Sequence, residues 1–103
     1  MMIPPMLDRF EAARLAIEEA VLRGPGHTDP ELRQRVAERR DVPEELRALL
    51  EKIERHAYQV TDEDLVALRS RYTDDQRFEI VVAAALGSAL VRLRAGLGAL
   101  EQA

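Results

Sequence analysis

Residues 78–100 read FEIVVAAALGSALVRLRAGLGAL, and no charge interrupts positions 80–91. The run predicts a long helix at the centre of an all-helical domain. Its first part is apolar on nearly every side, which predicts burial all round instead of against one face. Ala83 with Gly87, Ala84 with Ser88 and Ala85 with Ala89 are each four apart, along ridges where another helix backbone can come close. A glycine in a helix interior costs about 1 kcal/mol relative to alanine. Gly87, Gly96 and Gly98 therefore call for close packing or a kink as compensation. A chain of 103 residues has few other elements to cover such a helix. The expectation is a homo-oligomer whose interface uses Ala83, Ala84, Gly87, Ser88, Leu90 and Val91.

Working outward, the composition fits one soluble helical domain over residues 1–103, with 47% hydrophobic and 33% charged residues. A net charge of −4 argues against nucleic-acid binding, which needs a basic surface. Arg33, Arg35, Arg39 and Arg40 alternate with glutamate and apolar positions, a pattern expected of a solvated, salt-bridged face. Lys52 is the only lysine, and arginine suits fixed, bidentate pairing with carboxylates. The absence of cysteine removes disulfides, zinc-thiolate sites and thiol chemistry, and fits a reducing compartment. The start, MMIPPMLDRF, lacks the pattern of a signal peptide, and uncharged runs stop short of the roughly 20 residues that span a bilayer. A cytoplasmic protein with no membrane partner, no cofactor and no metal is the expectation.

Along the chain, a first helix is expected from about residue 6 to residue 22, with Leu7, Phe10, Ile17 and Val21 on one apolar face. Gly24-Pro25-Gly26 ends it, with a glycine in the left-handed cap. Thr28-Asp29-Pro30-Glu31 reads as a capping box opening a short surface helix anchored only by Leu32 and Val36. His27 and Asp29 are too few for a metal site. Asp41-Val42-Pro43-Glu44 opens a third helix, where Leu46, Leu49, Leu50, Ile53, Ala57 and Val60 form the strongest amphipathic stripe. His56 lies at the margin of that stripe, and Tyr58 faces away from it towards a possible interface. Thr61-Asp62-Glu63-Asp64 and Thr73-Asp74-Asp75-Gln76 are two helix starts, lacking the glycine and distal glutamate of a calcium loop. Between them Leu65, Val66 and Leu68 are expected to be buried, with Arg69 and Arg71 exposed.

The segment His56-Ala57-Tyr58-Gln59-Val60-Thr61-Asp62-Glu63-Asp64, the stretch to Tyr72, and the TDDQ start of the FEIVVAAALG helix together resemble a known family. They are similar to the C-terminal part of the carboxymuconolactone decarboxylase and alkylhydroperoxidase D-like family, over roughly residues 56–100. The resemblance implies a compact all-α fold of about five helices in which small subunits pack as trimers, hexamers or related oligomers. Redox members use a Cys-x-x-Cys pair with a histidine and glutamate relay. This chain has no thiol, so peroxidase chemistry has no nucleophile and no redox residue carries over.

Three functions follow as expectations. The first is a non-redox member acting as an oligomeric structural or small-molecule-binding protein. The second is a decarboxylase-type enzyme acting on a lactone acid, for which His56 is the candidate catalytic group and Arg92 and Arg94 the candidate substrate-binding cations. The third is a small helical adaptor that takes a partner helix on the Ala/Gly ridge.

Overall fold

Short helical segments precede one long C-terminal helix, and sequence signals set most of the boundaries. The computed structural model describes residues 5–56 and 59–102. Helix α1 (Pro5–Glu18) runs into a π-helical turn, Glu19–Arg23, and α2 spans Pro30–Glu38. A 3₁₀ turn, Glu44–Leu46, leads into α3 (Arg47–His56), followed by α4 (Asp62–Val66) and α5 (Asp74–Gln102). No strand occurs among the described residues. At 1.5 Å per residue, the 29 residues of α5 extend roughly 43 Å, which accounts for most of the 51 Å long axis.

Both threonine caps form as expected. The Thr61 amide donates to Asp64 Oδ2 at 2.9 Å while the Asp64 amide donates to Thr61 Oγ1 at 3.4 Å. Thr73 and Gln76 exchange the same pair, at 2.9 and 3.2 Å. Each box satisfies amides that a helix start leaves without partners. The first glycine and the first cap behave differently. Gly24 is extended, with φ −70° and ψ 168°, and its small size matters because a Cβ there would meet the Ala20 carbonyl oxygen at 2.6 Å. Asp29 caps α2 by accepting from the Glu31 amide at 3.0 Å, which frees the Thr28 hydroxyl for a partner on α5.

One apolar cluster joins Leu22, Val36, Leu46, Leu49, Leu50, Ile53, Leu68, Ile80, Ala83 and Ala84. The expected stripe of α3 is buried at Leu46, Leu49, Leu50 and Ile53, with Val60 half-buried; Ala57 and Tyr58 lie outside the described residues. Leu68 is buried and Leu65 half-buried, but Val66 is exposed.

Helix α2 is no loosely held surface helix. Val36 is fully buried, and α2 packs on α5 more extensively than any other pair of elements does. Gly87 makes this possible. A Cβ on it would lie 2.2 Å from the Ala37 carbonyl oxygen and 2.8 Å from the Ala37 Cα, so the two helix backbones are in contact. The small-residue ridge is thus used inside the subunit. Ala83, Ala84, Gly87, Ser88 and Leu90 are all buried there, and of the six residues expected at an oligomer interface only Val91 is exposed.

Nor is α5 buried all round. Phe78, Ala85, Ala89, Leu93, Gly96 and Leu100 are exposed, and their spacing places them, with half-buried Val82, on the face opposite the core. Open space surrounds Gly96 and Gly98. Of the apolar face expected on the first helix, Phe10 and Ile17, two turns apart on α1, are 62% and 51% exposed, while Val21 in the π turn is half-buried against the core. By length and composition alone α5 could cross a membrane, with mean hydropathy 1.7 over its most apolar window and 33% of that window buried in the chain.

The α2–α5 contact yields a stability prediction. Gly87→Ala places a methyl group against unyielding backbone, and overpacking of this kind costs about 1–3 kcal/mol. Urea denaturation should show the lowered midpoint; an unchanged or raised midpoint would refute the contact.

Candidate functional site

Two polar constellations lie along the seam between α2 and α5. The first is built on Glu79, at the start of α5. Its Oε2 accepts the His27 amide at 2.7 Å, and its Oε1 accepts the Thr28 amide at 2.9 Å and the Thr28 hydroxyl at 2.6 Å. Arg33 reaches it from α2, with Nε 3.9 Å from Oε1. Arg33 is 2% exposed, and the guanidinium keeps close company with backbone carbonyls. It donates to the carbonyls of Val21 at 2.7 Å, of Gly24, and of Thr28 at 3.4 Å. A buried charge is tolerable only when hydrogen-bonded in this way. The arginine cluster is therefore split: Arg33 is interior, Arg39 half-buried, and only Arg35 and Arg40 belong to a solvated face.

Burial raises the Glu79 pKa, but bonds from the Thr28 hydroxyl and from the His27 and Thr28 amides, together with the Arg33 charge, lower it further. The net effect holds the carboxyl below its ordinary value of 4.5. Its contribution to stability is thus complete above that value and is lost as pH falls through the folded-state pKa. The side chain serves as a strap joining the loop after the π turn to α5, beyond any effect on the helix dipole.

The second constellation surrounds Arg39. This residue closes α2 in the left-handed region, at φ 56° and ψ 40°. Its amide donates to the Val36 carbonyl at 3.2 Å and the Arg40 amide to the Arg35 carbonyl at 3.0 Å, the paired bonds of a Schellman ending. Glycine usually takes this position because a Cβ is strained there. Here the side chain folds back over α5, donating to the Ala84 carbonyl at 3.1 Å, Ser88 Oγ at 2.8 Å and the Val36 carbonyl at 2.6 Å. Its Nε is buried with no hydrogen-bond partner. Burial lowers the guanidinium pKa and the charge of Glu54 raises it, with burial the larger effect. A groove of about 480 Å³ opens beside it, between the π turn, α2, α3 and α5.

The residues nominated from sequence are not gathered at either place. His56 is exposed in the last turn of α3, outside the core edge where it was expected. Arg92 donates to the Glu54 carbonyl at 2.8 Å, capping the end of α3. Arg94 lines the groove beside Arg39 and lies 3.5 Å from Glu18. Sequence reading missed Thr28, Glu79 and Arg39 as a polar seam. The left-handed ending at Arg39 carries no glycine or asparagine that would announce it.

Two ties complete the frame. Lys52 on α3 holds Asp64 on α4 at 2.8 Å, and this bond, with the Thr61 amide, keeps that carboxyl below the usual range. Tyr72 donates to Glu45 at 2.9 Å, and burial together with this carboxylate pushes its hydroxyl up to about 12. Among the described residues no three acidic or histidine side chains are placed to hold a metal ion.

The class defined by this geometry is an all-α domain with a long apolar C-terminal helix. Comparison with protein families, characterised proteins and solved structures finds no match.

The strap predicts a specific pH response. Glu79→Gln removes the charge-assisted bonds of a mostly buried carboxylate and should cost about 1–3 kcal/mol at neutral pH. Thermal melts across pH 3–7 should show the wild type losing stability below roughly pH 4.5, and the variant losing less over the same interval. Equal pH slopes in the two proteins would exclude Glu79 as the source.

Proposed function

We propose that the chain is a non-redox member of the carboxymuconolactone decarboxylase and alkylhydroperoxidase D-like family, working in the cytoplasm as a helical homo-oligomer with a binding or structural role. The observation that carries the reading is the uncovered stripe on α5. Phe78 and Leu100 are 69% and 66% exposed, and Ala85, Ala89, Leu93 and Gly96 connect them along one face. The spacing of three and four residues is that of a helix-packing seam, and its small residues allow a close approach. Contiguous apolar surface of this extent marks an interaction site on a soluble protein. The all-α architecture and the two threonine-capped helix starts support the family likeness, and the lack of any thiol supports a role outside peroxide chemistry.

The assembly face is therefore the stripe opposite the core, in place of the ridge through Gly87 that α2 already covers. Exposed Phe10 and Ile17 on α1 offer a second apolar surface for the same purpose.

Light scattering should return a multiple of the 11.6 kDa chain mass at micromolar concentration. Leu93→Asp should weaken association about hundredfold, as expected for a charge set into the centre of an apolar contact. A wild-type protein that stays monomeric, or a variant that assembles as well as wild type, defeats the proposal.

A further inference from the structure

The groove beside Arg39 lies within one subunit and on the core side of α5, so its chemistry is independent of how subunits meet. Arg39 is the residue to explain. It adopts a left-handed conformation that is strained for any residue with a Cβ, and its three hydrogen-bond acceptors are all neutral: two carbonyls and the Ser88 hydroxyl. No described carboxylate pairs with it. Glu18 is engaged by Arg14 at 2.8 Å, and Glu38 by Arg40 at 2.7 Å. Glu54 acts on Arg39 only through space.

A half-buried cation with neutral partners is electrostatically incomplete, and with both Nη2 hydrogens and one Nη1 hydrogen engaged the second Nη1 hydrogen is left for a single charge-assisted bond to an anion. Ser88 accepts from Arg39, which leaves its own hydrogen free to donate. Gln34, on the α2 wall, adds an amide, while Leu22 and Leu90 give the same groove an apolar side. Glu18, Glu38 and Glu54 on the same lining are balanced in number by Arg23, Arg39 and Arg94, and with two of those carboxylates already ion-paired the groups around Arg39 match a molecule with one anionic end and a compact apolar body. At about 480 Å³ the groove falls within the size range of small-ligand sites.

We infer that this groove binds a small organic monocarboxylate, its carboxylate set against Arg39 and Ser88 and its apolar portion against Leu22 and Leu90. A neutral analogue loses the charge-assisted contact and leaves the cation as it was. An added negative charge on the wall opposes binding without touching the ligand's apolar part.

Benzoate is a suitable probe, titrated into the isotopically labelled full chain with benzamide and benzylamine as matched neutral and cationic controls. Benzoate should shift the Gly87 and Ser88 amide resonances saturably, and neither control should do so. Gln34→Glu, a near-isosteric change on a half-buried helix position, should weaken benzoate binding about tenfold through added repulsion at short range. Arg39→Gln should abolish it; if that variant fails to fold, the Gln34→Glu result decides. Absence of saturable shifts, equal binding of benzamide, preference for benzylamine, or benzoate affinity unaffected by Gln34→Glu would each overturn the assignment.

Discussion

The backbone of α2 rests directly on α5 at Gly87, and the rest of the fold depends on that contact. Any side chain at this position would collide with the Ala37 peptide. The approach brings the polar ends of α2 within reach of α5, so that Arg33 and Thr28 meet Glu79 at one end while Arg39 meets Ala84 and Ser88 at the other. A helix of nine residues is too short to be stable alone. Fully buried Val36 and these two polar clasps hold it in place.

The same contact divides the surface of α5 into two unlike faces. Ile80, Ala83, Ala84 and Gly87 turn towards the other helices, and Phe78, Ala85, Ala89 and Leu93 turn away. Seven apolar or small positions on the outer face are more than a solvated helix needs. An amphipathic helix would carry charges there, yet residues 80–91 carry none. The absence of polarity on the outer side is the sequence counterpart of the exposed apolar stripe on which the proposed self-association rests.

What could be read in advance follows from how local each signal is. The caps at Thr61 and Thr73 involve residues three apart, and the α3 stripe repeats at helical period, so both were legible without tertiary knowledge. The length of α5 was legible for the same reason. The position of α2 was not, because Leu32 and Val36 alone suggest a weak anchor, and the arginines that tie it down look like surface residues until the carbonyls they serve are in place. Glu79 carries no local signal of its role either, because its partners His27 and Thr28 are some fifty positions earlier in the chain. The ridge of small residues correctly signalled a close helix approach, but spacing cannot say whether the approaching helix belongs to the same chain.

That ambiguity has a geometric resolution with consequences for function. Residues 87, 88 and 90, which line the groove beside Arg39, lie on the core side of α5, while residues 85, 89, 93 and 96 lie on the other. Subunits joined along the outer stripe, as proposed, would leave the groove open to solvent, so that the proposed assembly and the proposed ligand would not compete for one surface. Had the Gly87 ridge been the assembly face, a neighbouring helix would occupy the space in which α2 and Arg39 now sit. The close packing of α2 on α5 thus makes the proposed self-association compatible with an accessible polar groove on a single helix. It leaves α5 as the one rigid element common to both.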